Sequence, residues 1–426
     1  MTSSPPAAPP PATGRPAAMR FIMFTVLIDM LAIGVIVPVL PSLVAGFATG
    51  RASQTHWYTL ITVCFAVSSF ICSPMLGAWS DRYGRRPILL LGFAGLAVNF
   101  FMTALASSLW MLLLSRVIGG AMQSNAAVAN AYVADITPPQ DRAKRFGLLG
   151  AMFGIGFILG PVIGGVLGAH DVRWPFFFSG GLSLLNLAYG WFVLPESLPP
   201  ERRRQVTLRT ANPLSSLWQL AELKGVGLLV GVIACANMAQ FTLYTTWVLY
   251  TTFRFGWGPA QNGWSLFAVG IVSAVVQGAL LGRLLKRFKA PRLAMMGLLS
   301  STLAFIFWGL ATEGWMMYPV IFANLLGSVV AATMQSLISA AADPAKQGQT
   351  MGAVSSLGSL MAVIAPMFGG PLLATVSELP PHDWRVGAPM FFCAALMAAS
   401  LGLAWLHFRH LRRAGTVLPQ AKVTSP

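Results

Sequence analysis

An all-α membrane protein of twelve transmembrane helices in two six-helix halves is what the sequence predicts, on three observations. Apolar runs of about 20 residues recur along the 426-residue chain, charged residues fall almost wholly between them, and short motifs return at an offset of 205 residues. Each run is long enough to cross a bilayer core of about 30 Å. The runs lack the period-two alternation of barrel strands and so read as helices, whose backbone groups are satisfied internally. Hydrophobic residues make up 56% of the chain and charged ones 9%, with mean hydropathy +0.68, which excludes a soluble domain.

Taken in order, residues 1–20, "MTSSPPAAPPPATGRPAAMR", are proline-rich and read as a disordered cytoplasmic tail, not a signal peptide. Spans beginning near 21, 57, 88, 109, 146 and 175 form an N-terminal half over 21–195. A proline- and arginine-rich linker covers 196–224. Spans beginning near 225, 260, 292, 314, 349 and 387 form a C-terminal half over 225–410, and 411–426 is a second tail. With the N-terminus inside, the cytoplasmic segments hold 23 Lys/Arg against 7 Asp/Glu, and the outer loops hold 4 of each. That asymmetry predicts a multi-pass protein of a cell inner membrane with both termini cytoplasmic. It also accounts for the net charge of +16 through the lipid bilayer, with no nucleic acid partner.

The four cysteines lie within apolar runs as small hydrophobes. No phosphate-binding lysine loop, catalytic His/Cys set or metal-ligand cluster is legible, so neither an enzyme, a cofactor nor a metal is expected, and a monomer is. The repeat is carried by "DRY" at 81–83 against "KRF" at 286–288, and by "GPVIGG" at 160–165 against "APMFGG" at 365–370. Two related six-span halves are the mark of a secondary transporter that rocks around a site near the midplane.

Three motifs carry a family resemblance. "GAWSDRYGRR" at 77–86, "LLLSRVIGGAMQS" at 112–124 and "GIGFILGPVIGG" at 154–165 resemble the signatures of the major facilitator superfamily and its drug/proton antiporters. "PVLP" at 38–41, "YVADIT" at 132–137, "WVLYTTFRFGW" at 247–257 and "EGW" at 313–315 are similar to the tetracycline-exporter group. The resemblance covers essentially the whole chain. It implies proton-driven export of a small molecule, with tetracycline as one candidate compound, and makes Gly77, Asp81, Arg82, Gly84, Arg85, Arg86 and Asp135 a cytoplasmic gate. An Asp81 carboxylate facing a helix N-terminus and an Arg85–Asp135 pair would latch the outward-open state, each worth about 1 kcal/mol or less. Topology alone is the bland alternative for these charges. Lys286 stands where Asp81 would be in the second half, so an asymmetric gate is expected. Gly156, Gly160, Pro161, Gly164 and Gly165 are expected to seal one half against the other, with ordinary tight packing as the alternative.

Within the spans only Asp29 and Arg116 are charged. A charged aspartate at that depth costs at least about 2.5 kcal/mol. Asp29 is the candidate proton-coupling residue, with Arg116 as a possible ion-pair partner; a static pair that fixes packing is the alternative. Asn99, Gln123, Asn130, Asn237, Gln240, Tyr244, Gln277 and Gln335 outline a candidate substrate cavity, though each could instead join helices. With 27 Phe and 13 Trp in the chain, they suit an amphipathic solute better than a sugar or other metabolite, which is the second transport reading. The chain departs from the tetracycline exporters at Asn99 and Ser301, where that resemblance implies acidic residues.

Overall fold

A computed structural model describes residues 15–123, 125–203, 227–341 and 347–413. The expected tails and linker fall largely outside these residues. The helices are α1 (Arg15–Ile36), α2 (Leu40–Ala45), α3 (Arg51–Tyr83), α4 (Arg85–Ala104), α5 (Leu109–Ala121), α6 (Asn125–Ile136), α7 (Arg142–His170) and α8 (Trp174–Val193). They continue as α9 (Gly227–Phe255), α10 (Pro259–Val275), α11 (Leu281–Arg287), α12 (Ala290–Leu310), α13 (Met317–Ala323), α14 (Val330–Ala341), α15 (Gln347–Val376) and α16 (Ala388–Arg413).

Among the described residues eleven helical segments are long and apolar enough to cross a membrane. The fourth expected span differs. It is interrupted at Met122 and Gln123, leaving α5 and α6 with 13 and 12 residues, each too short to cross alone. Its counterpart 205 residues on is also irregular: α13 and α14 are joined by a 3-10 stretch, Asn324–Val329. Between α10 and α11 a π-turn, Val276–Leu280, falls 205 residues after the stretch of α3 that contains Pro74. The repeat is therefore present in the backbone irregularities as well as in the helices.

One buried apolar cluster is drawn wholly from residues 229–408 and another from 19–194. A third joins them, packing Leu249, Phe253 and Leu373 against Tyr58, Ile61 and Leu112. The bundle has a basic end, with Arg82–Arg86, Lys144 and Lys286–Arg292, and an opposite end carrying the loops near 50, 258 and 378. Cross-half contacts concentrate at the opposite end. There Arg51 Nη1 donates to Ser377 O at 3.4 Å, and the Ala52 N–H, in the first turn of α3, donates to Glu378 Oε1 at 3.2 Å. A Cβ on Gly370 of α15 would collide with Thr59 of α3, and one on Gly165 of α7 would come 2.7 Å from Pro259 O of α10.

Eighteen residues, or five helical turns, bring the same helix face to the other end. From Thr59, Gly165 and Gly370 that step leads to Gly77, Gly147 and Gly352, and no described atom lies within 4 Å of a Cβ built on any of the three. The faces that touch at one end of the bundle are thus apart at the basic end.

Candidate functional site

The N-terminal half encloses a set of polar side chains. Asp29 lies in α1 at 3% exposure. This helix packs on α7 at backbone distance, because Gly156 faces Leu27, Met30 and Leu31, Gly160 faces Gly34, and Gly164 faces Val35. The Gly156, Gly160 and Gly164 stripe therefore holds two helices of one half together. Of the five expected residues Gly165 and Pro161 meet the other half, at Gly263 and Pro259 of α10, joined there by Ile158 and Gly168, so part of the stripe and not the whole of it lies between the halves.

Asp29 Oδ1 accepts a hydrogen bond from Asn125 Nδ2 at 3.3 Å. Asn125 opens α6 directly after the interruption and is buried. Its Oδ1 has no hydrogen-bond partner and rests on Gly92 of α4, where any Cβ would overlap it. Arg116 of α5, 7% exposed, donates from Nη2 to Thr103 Oγ1 at 3.2 Å and interacts with Tyr58 of α3, while its Nε has no partner. The Asp29–Arg116 ion pair is not formed. Nine residues and the break at Met122 and Gln123 separate Arg116 from the Asn125 that meets Asp29. Among the described residues no base pairs with Asp29.

Asn99 of α4 is fully buried against Gly119 of α5, and neither polar atom of its amide has a partner. It sits inside one half, not in an open cavity. Leaving such a group unpaired costs about 1–3 kcal/mol. Ser301 of α12 is 3.5 Å from Asn324 Oδ1, which Ser300 approaches to 3.0 Å. Asn237, Gln240 and Tyr244 share one face of α9, and Asn237 faces Gly358 of α15. Gln123 is half-buried at the interruption of the fourth span. Asn130 is exposed and turns back to Ala126 O at 2.8 Å. Gln277, on the π-turn, and Gln335 are exposed and hydrogen-bond none of the others among the described residues. Among the described residues no hydrogen bond links expected cavity residues of different helices, and Asn99 alone of the eight is fully buried.

The basic end holds a charge cluster. Arg85 pairs with Asp81 at 2.5 Å and with Asp135 at 3.1 Å, and donates to Ser80 Oγ at 2.6 Å, linking α3, α4 and α6. Among the described residues Asp81 is thus paired within its own half through Arg85. Arg82 is exposed, Arg86 Nη2 donates to Trp191 O at 2.7 Å, and Lys286 is exposed without an ion pair among the described residues. Sequence reasoning missed Glu196. Its carboxylate accepts the Arg85 and Arg86 N–H groups at 2.8 and 3.2 Å and so caps α4 where the helix dipole favours an anion. Gly84 turns there with φ 107°, and a side chain on it would collide with Glu196. Residues 196–198 are therefore built into the N-terminal half, whereas the expected linker began at 196.

The comparisons with known proteins agree with this architecture. The chain is 34% identical over 375 residues to the class C tetracycline resistance protein of Escherichia coli, covering 88% of this chain and 94% of that protein. It is 33% identical over 378 residues to the class D tetracycline resistance protein of Salmonella ordonez, with 88% and 94% covered. A solved bacterial homolog of the human lysosomal transporter Spinster, described as inward-facing and unoccupied, superposes with a TM-score of 0.74 at 16% identity over 94% of this chain and 98% of that one. The family model for the Major Facilitator Superfamily matches residues 22–366. With two repeated helical halves around a polar N-terminal interior, this chain belongs to the major facilitator superfamily, a family of transporters and not of enzymes.

Proposed function

We propose that the chain is a proton-coupled exporter of small amphipathic, drug-like compounds, seated in a cell inner membrane with its basic end in the cytoplasm. The observation that carries this is Asp29, a buried carboxylate whose side chain meets an amide and no cation. Charge at that depth is costly, a proton removes it, and an acid not already neutralised by a base is free to exchange one. Proton entry suffices for the work. One charge moving down 100 mV releases about 2.3 kcal/mol, enough for roughly a 50-fold gradient of a neutral solute.

Similarity to the tetracycline resistance proteins makes tetracyclines the first compounds to test. The basic end is cytoplasmic by its excess of Lys and Arg. The conformation described is then open to the cytoplasm, and export requires the open glycine faces to close, Gly77 onto Gly352 of α15 and Gly147 onto the α11 glycine, Gly282. The Arg85 cluster is the rigid corner against which α3 and α4 move together.

Everted membrane vesicles energised by respiration test the reading. Adding a transported drug should release protons from the acidified lumen, reported by a pH-sensitive dye. Drug accumulation that is unchanged after a protonophore collapses the gradient would refute proton coupling.

A further inference from the structure

We propose that the outer face of α12 and α16 holds an acidic phospholipid, its acyl chain in a groove and its phosphate on Arg292 and Arg409. A groove of about 480 Å³ runs between these helices, lined by Met295, Met296, Leu299, Leu401, Gly402 and Trp405. Its floor is open at Gly402, where no described atom lies within 4 Å of a built Cβ.

Helical spacing extends the lining into charge. On α12, Arg292 precedes Met296 by four residues, and on α16 Arg409 follows Trp405 by four, so each arginine lies on the groove-facing stripe of its own helix. The two helices run antiparallel, with Gly309 packed against Phe391 and Gly387 near the far end, which brings Arg292 and Arg409 to the same mouth. Arg409 stands 4.9 Å above the Trp405 ring, held by a cation–π contact at the level where an indole meets the headgroup layer. Both arginines are exposed, and neither forms an ion pair among the described residues. Seven residues from Leu299 to Arg292 span about 10 Å, the length of roughly half an acyl chain. The apolar groove selects a hydrocarbon chain, and the paired guanidiniums select an anionic phosphate over a zwitterionic headgroup.

Native mass spectrometry of the full chain in detergent, with equal amounts of phosphatidylglycerol and phosphatidylcholine of matched acyl chains, tests this. The wild type should retain phosphatidylglycerol about tenfold over phosphatidylcholine. The double variant Arg292→Gln, Arg409→Gln should bring that ratio close to one, whereas Arg283→Gln should leave it unchanged. Gly402→Leu should fill the groove and lower retention of both lipids. Equal retention by the wild type overturns the proposal, as does a ratio that survives the double substitution or retention unaffected by Gly402→Leu. The wild-type ratio and the Gly402→Leu result decide it even where the double variant does not stay monodisperse.

Discussion

At positions related by 205 residues the two halves have the same helix-to-helix packing and opposite chemistry. In the N-terminal half Asn125 packs on Gly92; in the C-terminal half Val330 packs on Gly297. Arg116 is matched by Ile321, and Asn99 by Ala304. The interrupted fourth span, with its amide on Asp29, has as counterpart the Asn324–Val329 stretch, where Asn324 Oδ1 accepts from Ser300 and Ser301. The scaffold is shared, and the mid-span Asp29 and Arg116 have the apolar counterparts Ala234 and Ile321, while the buried ionisable groups of the second half, Arg254 and His407, lie towards helix ends. The lesson is a division of labour in the proposed mechanism: the candidate proton site lies on α1 and α6, and the matching positions of the second half are apolar.

Substitutions can break or sharpen this contrast. Asn125→Leu should have the largest effect, since it removes the hydrogen bond to Asp29. Losing a bond to a charged group is worth about 1.5–3 kcal/mol, so proton-coupled export should fall about tenfold or more in vesicle assays. The reciprocal change, Val330→Asn, should leave coupling intact and lower thermal stability, by about 1–3 kcal/mol for a buried amide without partners. Gly297→Ala and Gly92→Ala differ more subtly. The new methyl meets the Leu326 backbone oxygen at 2.6 Å in the first, but a side-chain amide in the second. Gly297→Ala should therefore cost about 1–3 kcal/mol in thermal melts, while Gly92→Ala should displace Asn125 and weaken coupling at smaller cost in stability. Asp81→Asn should change stability by about 1 kcal/mol or less, because its carboxylate is partly exposed and Arg85 keeps Asp135.

The smallest effect concerns the loops before the last span of each half, which share an Asp-x-Arg pattern at 171–173 and 383–385. Arg173 reaches past its aspartate to Ala104 O and Ala106 O, whereas Arg385 folds back on Asp383. The side-chain and backbone hydrogen bonds from Arg385 hold the Asp383 carboxyl below the usual carboxylate range. A carboxyl depressed in the folded state adds stability above its unfolded value and loses it as pH falls through the folded one. Thermal melts of Asp383→Asn and wild type should therefore converge on acidification below that range.

Most of the architecture was legible because span length, loop charge and repeat offset are local properties of the chain. The Arg85–Asp135 pair was legible through its motif. What was not legible depends on depth and on distant partners. Asp29 and Arg116 invite pairing by formal charge alone, whereas in the fold each turns to a neutral partner, Asn125 and Thr103. Asn125 carries no sequence mark beyond standing after Gln123 and Ser124, and Glu196 caps α4 from 111 residues away. The glycine stripe on α7 reads alike for packing within a half and between halves, until the neighbours of Gly160 and Gly165 are known. The polar residues proposed for the cavity could be grouped by helical spacing, as Asn237, Gln240 and Tyr244 are on α9, but spacing within one helix says nothing of what lies opposite.

The central claim, that Asp29 couples proton and drug, is tested most directly in proteoliposomes by comparing Asp29→Asn with wild type for two activities in one preparation. Exchange of labelled for unlabelled drug requires only rocking and binding, whereas uphill drug movement under an imposed pH gradient requires the acid. Asp29→Asn should keep the exchange and lose the uphill movement. Undiminished uphill movement in Asp29→Asn would contradict the account.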